Sequence, residues 1–157
     1  MLRQFLIHGG RETFASYGID RATVTASSLE DLGDIVAKAV PAEDIAFLSS
    51  FEDSVTIGDY HFVHAGIMPG LPVNLQMTSH TRWIREPFLS HKNSHGPVIV
   101  HGHTIVNTAD IRPNRIGIDT GAYRSGRLTA LGLEGTDRWL IETHDDGGKI
   151  TTTIRST

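Results

Sequence analysis

The 157-residue chain contains no cysteine, which excludes disulfides, thiolate zinc sites, iron–sulfur clusters and thiol nucleophiles together. That absence fits a reducing compartment. No stretch approaches the roughly 18 apolar residues of a membrane span. The apolar patch in Met1-Leu2-Arg3-Gln4-Phe5 stops at His8-Gly9-Gly10, too early for a signal peptide. A cytoplasmic protein without membrane association is expected. An excess of basic charge is missing too: 14 Lys and Arg stand against 18 Asp and Glu, a net charge of −4. Nucleic-acid binding needs a basic footprint, so that class is set aside. Repeats, low-complexity tracts and linkers are also absent. What is present is a globular balance, 39% hydrophobic and 20% charged, at the length of a single domain. The unusual count is histidine, with nine.

Residues 1–51 read as helical and 52–157 as mainly strands and loops. Leu2, Phe5 and Leu6 share one helical face, and Phe14 and Tyr17 continue it past Gly9-Gly10. Ser28 with Asp31 three positions on resembles a capping box. Leu29, Leu32, Ile35, Val36 and Ala39 follow the spacing of a buried helical stripe. Pro41 opens a further helix whose apolar Ile45, Phe47, Leu48 and Phe51 are expected to complete a small helical unit. Beyond it, Val55-Thr56-Ile57, Gly58-Asp59 and Tyr60-His61-Phe62-Val63 read as strand, tight turn, strand. Thr81 to Glu86 reads as a short helix stopped by Pro87. Pro97-Val98-Ile99-Val100 has the unbroken apolar character of a central strand, Ile116-Gly117-Ile118 is a further short strand, and three strands form a terminal meander after Arg127. The fold class expected is α/β.

Three segments carry the chemistry. In Val63-His64-Ala65-Gly66 a strand delivers His64 to the sheet's C-terminal edge, where open α/β sheets bind ligands. The alternative is a strand-end imidazole held by a carbonyl. In Val100-His101-Gly102-His103-Thr104 the two imidazoles point to one face if the strand continues, and both reach one ion. Gly102 also permits a bend that separates them. Imidazole suits Zn, Mn, Fe, Ni or Cu, so the metal is not identified. In Ile118-Asp119-Thr120-Gly121-Ala122-Tyr123, Asp119 either orients a ligating imidazole or caps a turn. Between these lies Trp83-Ile84-Arg85-Glu86, whose Arg85 offers a planar fork suited to phosphate. Its plainer reading is a surface salt bridge to Glu86 or Asp59.

Four segments in order, Phe62 to Ile67, Trp83 to Phe88, Val100 to Thr104 and Ile118 to Tyr123, resemble the C-terminal portion of bacterial PPP-type serine/threonine protein phosphatases. These belong to the calcineurin-like metallophosphoesterase superfamily. The resemblance covers roughly Met1 to Leu133, and residues 137–157 match no part of it. It implies a β-sandwich flanked by helices and a site with two divalent ions (Mn, Fe or Zn). It further implies His64 and His103 as ligands of the second ion, and Arg85 as the residue gripping substrate phosphate. His101 and Asp119 become site-lining or ligand-supporting residues, and Tyr123 a border of the substrate cleft. The substrate class implied is a phosphoprotein or small phosphoester.

The family's Gly-Asp-x-His-Gly, Gly-Asp-x-x-Asp-Arg-Gly and Gly-Asn-His-Glu motifs are not found. Gly58-Asp59-Tyr60-His61 mimics the first, but Phe62 stands where its closing Gly belongs. An N-terminal half of the domain is therefore expected to be missing. Two imidazoles alone hold metal weakly, so slow or absent turnover is expected of the chain by itself. An exposed sheet edge beside Pro97 to Val100, inviting homo-oligomers, is expected as well. Two other readings are a dinucleoside polyphosphate hydrolase of the same superfamily and a non-catalytic binding fragment.

Overall fold

The computed structural model describes residues 2–157 and shows a mixed α/β protein with helices and two sheets. It divides into two compact units, Met1–Phe51 and Glu52–Thr157, each described by itself. Among the described residues no helix is long and apolar enough to cross a membrane.

The first unit is helical: α1 (Leu2–Phe5), α2 (Arg11–Ser16), α3 (Arg21–Ala26), α4 (Leu29–Ala39) and α5 (Ala42–Ser49). The chain kinks between α1 and α2 at His8 and Gly9, and Gly9 takes φ +92°, which favours a residue without Cβ. Asp20 caps α3 by accepting the Thr23 N–H at 2.7 Å. Ser28 caps α4 by accepting the Asp31 N–H at 3.1 Å. The expected reciprocal box is not formed: the Asp31 carboxylate accepts from the Ser28 hydroxyl at 2.7 Å instead. Asp is one methylene shorter than the Glu that normally reaches the cap's own N–H. Phe14, Ile19, Val24 and Leu32 form the core, with Ile35, Val36 and Ala39 packed against it. Leu29, expected in that stripe, is 40% exposed.

The expected role of α5 needs correcting. Ile45, Phe47, Leu48 and Phe51 are all more than half exposed. At about 100° per residue Phe47 falls nearly opposite Ile45, so these side chains do not make one narrow stripe. Phe47 and Phe51 pair edge to face with centroids 4.8 Å apart, and a 2.8 Å hydrogen bond from the Tyr17 hydroxyl to Asp44 ties α2 to α5.

The second unit opens with the hairpin β1 (Ser54–Ile57) and β2 (Tyr60–Val63), followed by α6 (Thr78–Trp83), β3 (Val98–His101), β4 (Asp110–Ile111) and β5 (Arg115–Gly117). These strands make one sheet in the order β1-β2-β3-β5-β4, with β2, β3 and β5 mutually parallel. The expected open edge beside Pro97 to Val100 does not exist, because β3 is paired on both sides. Its unbroken apolar run signals that interior place; the sheet's edges are β1 and β4. α6 begins three residues before the expected start and ends at Trp83, where Ile84 turns extended and buries its side chain.

The core under the sheet is Val63, Ala65, Ile67, Ile84, Phe88 and Ile99. Gly66 permits its close packing: a Cβ there would collide with the Phe88 ring, and its φ is +153°. A short helix α7 (Ala122–Ser125) leads into the second sheet, a meander of β6 (Arg127–Glu134), β7 (Asp137–Asp146) and β8 (Lys149–Ser156). Arg138 of β7 reaches Tyr60 of β2, donating from Nε to the hydroxyl at 2.6 Å and lying over its ring.

Candidate functional site

Parallel pairing puts the C-terminal ends of β2, β3 and β5 at one sheet edge. Val63 pairs with His101 and His101 with Gly117, so His64, Gly102-His103 and Asp119 emerge side by side. The Gly102 N–H donates to the His64 carbonyl at 2.9 Å. A Cβ at Gly102 would meet that oxygen at 3.6 Å and Asp119 Oδ2 at 3.9 Å. His103 then takes φ +63°, the only positive value at a non-glycine among the described residues. This turn brings the His64 and His103 rings to 5.1 Å between centroids, at 60°. An open groove of about 570 Å³ runs beside His64, lined by Phe62, Val100, Ile118, Asp119 and Leu128 among others.

His64 is exposed and His103 half-buried. Nε2 of His103 is buried without a hydrogen-bond partner. Burial holds the His103 pKa below the ordinary imidazole value, and the charges of Arg85 and His64 push the same way. Asp119 and a hydrogen bond to the Trp83 main chain push against them. Arg85 therefore lies within electrostatic reach of His103. It is exposed and makes no salt bridge among the described residues. Glu86 instead accepts the Ser90 N–H at 3.2 Å. Asp119 plays the turn-capping part of the two its sequence context suggested, and it makes no hydrogen bond to an imidazole among the described residues. Oδ1 caps a turn by accepting the Gly121 N–H at 2.9 Å, while its charge acts on both His101 and His103.

His101 lines the groove beside His64 too, but its ring is buried. The strand stops at His101, and the chain turns left-handed at His103. His101 is 3% exposed, edge to face with Phe88 at 4.9 Å. Its Nδ1 lies 3.1 Å from the Gly102 carbonyl, and Nε2 3.4 Å from Nη1 of Arg115. A carbonyl only accepts, so Nδ1 carries the proton and Nε2 accepts from the guanidinium. Burial, foremost, lowers its pKa. Arg115 in turn is bound to Asp110 at 2.8 Å. Arg115, Asp110 and Phe88 had no sequence signal as neighbours of His101, since each comes from a different element. Tyr123 stands 82% exposed on α7, and its neighbour Ala122 lines the groove.

Two imidazole side chains, one with a buried and unpartnered nitrogen, are donor types that suit a divalent transition metal. Among the described residues no group of three His, Cys, Asp or Glu side chains comes together to hold an ion. His64 and His103 thus supply at most two donors of a metal site, and among the described residues no third joins them. No protein-family model matches the chain, and no curated protein matches it.

Proposed function

We propose that this chain carries part of the site of a metal-dependent phosphomonoester hydrolase acting on phosphoproteins or small phosphoesters. His64 and His103 are its ligands to one divalent ion, Mn, Fe or Zn. The observation that carries the reading is the 5.1 Å approach of two histidines from separate parallel strands, one with an unpartnered buried nitrogen. A divalent ion there supplies Lewis-acid stabilisation of charge on the transferring phosphoryl group. The remaining work falls to this chain's own side chains. Arg85, exposed and without an ion pair, presents its fork to the phosphate oxygens bidentately. Asp119 counters the positive charge around His103 and keeps the Gly121 turn in place.

Structural and catalytic sites ordinarily use three or four protein ligands. The reading therefore includes weak metal binding and slow turnover by the chain alone. The resemblance places the other donors in three motifs that these 157 residues lack.

Isothermal titration of the protein with Zn²⁺ and Mn²⁺ tests the ligand set. His64→Ala and His103→Ala should each lower affinity at least tenfold, and Arg85→Ala should leave metal binding intact while abolishing inorganic phosphate binding. Metal affinity indifferent to both histidine substitutions would refute the reading. Robust Mn²⁺-dependent turnover of p-nitrophenyl phosphate would refute the incomplete-site part of it.

A further inference from the structure

β8 (Lys149–Ser156) lies at the edge of the second sheet, paired among the described residues with β7 alone, and all of its residues are exposed. The Thr157 N–H donates to the Arg138 carbonyl at 3.1 Å. This contact continues the register in which Leu140 faces Arg155 and Glu142 faces Thr153. Antiparallel ladders alternate between hydrogen-bonded and open pairs, so the odd-numbered residues of β8 bond to β7. The N–H and C=O groups of Ile150, Thr152 and Ile154 therefore point away from the sheet. Exposed edges are ordinarily blunted by proline, a bulge or a charge within the strand. Ile150-Thr151-Thr152-Thr153-Ile154 carries none of these. Its two isoleucines share one face, and each is 70% exposed.

The sequence of this edge is the same in both directions. Lys149-Ile150-Thr151-Thr152-Thr153-Ile154-Arg155 is symmetric about Thr152, with one cation exchanged for another at its ends. We propose that β8 is a homodimer interface: β8 of a second copy pairs with it antiparallel, about a two-fold axis at Thr152, and the two three-stranded sheets become one. A two-fold interface has to be self-complementary, and this strand meets that condition. Thr152 faces Thr152 of the second copy, and Ile150 faces its Ile154, a β-branched cross-strand pair of the kind that stabilises sheets. The outward N–H and C=O groups of these residues then satisfy one another. A shift of two residues would set isoleucine against threonine. Charge is balanced as well. Lys149 falls opposite Arg155 of the second copy, but Asp146 is the cross-strand partner of Lys149, and Arg155 is bound to Glu142 at 3.1 Å. Each end of the joint thus sets two carboxylates against two cations. No residue of the proposed phosphoester site takes part, so the two readings stand or fall separately.

Sedimentation of the whole chain across a concentration series reads the association. Wild type should pass from monomer to dimer as concentration rises. Thr152→Lys places like charges face to face on the axis and should weaken association roughly tenfold or more. The position is exposed, and circular dichroism reports whether the variant folds. A second pair of variants reads the register without relying on charge. The chain has no cysteine, so Thr152→Cys should be joined to its own copy by a disulfide on mild oxidation. Hydrogen-bonded partners hold their Cα atoms ~5.5 Å apart, within disulfide reach. Thr151→Cys, whose own copy lies on the diagonal, should cross-link far more slowly. A protein that stays monomeric to its solubility limit overturns the proposal. So does a dimer as tight with Thr152→Lys as without it, or Thr151→Cys cross-linking as fast as Thr152→Cys.

Discussion

His101 and Arg115, on adjacent parallel strands, face each other inside the second unit with Nε2 and Nη1 3.4 Å apart. The guanidinium is almost wholly buried, and its charge is met by Asp110 at 2.8 Å. Its other polar contact is to the Leu89 carbonyl at 3.3 Å. This corner anchors β3 and β5 directly beneath the edge that carries His64 and His103.

Removing the acid of that corner should therefore cost more than removing an equally close surface acid. Asp110→Ala leaves the Arg115 charge buried and uncompensated, and a loss of about 3 kcal/mol is expected. The Asp53–Arg82 pair, at 2.6 Å, has both side chains more than a third exposed; Asp53→Ala should cost less than about 1 kcal/mol. Urea denaturation of the two variants checks the ranking. Equal losses would show that the Arg115 charge is not confined as described.

Acid should weaken the fold before any carboxylate titrates. Burial holds the pKa of His61, His95 and His101 below the ordinary value, and at His95 the charges of His91 and Arg115 add to it. In the unfolded chain these imidazoles titrate near ~6.5. Below that pH the unfolded state binds more protons than the native one, so stability falls as pH falls. Their contribution is fully present above the unfolded value. The urea midpoint should be constant from pH 8 to 7 and lower at pH 5.5; a midpoint that rises on acidification contradicts the burial of these rings.

At Gly66 the ring of Phe88 occupies the space of a side chain, and the backbone is left-handed. Gly66→Ala should destabilise the second unit by roughly 1–3 kcal/mol through overpacking, with further cost from backbone strain. Thermal melting followed by near-ultraviolet circular dichroism measures it. A neutral result would mean that Phe88 has room to move.

His103 shows the opposite balance. A left-handed non-glycine residue typically costs of order 1 kcal/mol, so His103→Gly should leave stability unchanged or raise it by up to about 1 kcal/mol. The same variant should lose Zn²⁺ affinity. A destabilisation above about 1 kcal/mol would show that the imidazole is kept for packing.

Local pattern was a good guide wherever one element could be judged alone. The β1–β2 hairpin, the apolar strand at Val98 to Val100 and the cap at Ser28 all follow from short-range chemistry. It failed where burial depended on what another element supplied. The apolar side chains of α5 match helical composition yet stay exposed, because composition says neither that they share a face nor that anything covers them. The edge expected beside Pro97 to Val100 was an inference about neighbours, and β5 occupies the place left empty in it. His101 and His103 are separated by one glycine in sequence, yet one ring packs against Phe88 and Arg115 and the other meets His64.

Read by itself, the order of residues determined the helical start, the strand-rich remainder, the histidines at strand ends and the absence of thiol chemistry. These are consequences of composition and of spacing over a few residues. Only tertiary structure decided that His64 and His103 meet while His101 turns to Arg115, and that Trp83 stands against the His103 ring. Such approaches depend on parallel pairing between strands dozens of residues apart and on one backbone torsion, and neither is encoded in any local pattern of side chains.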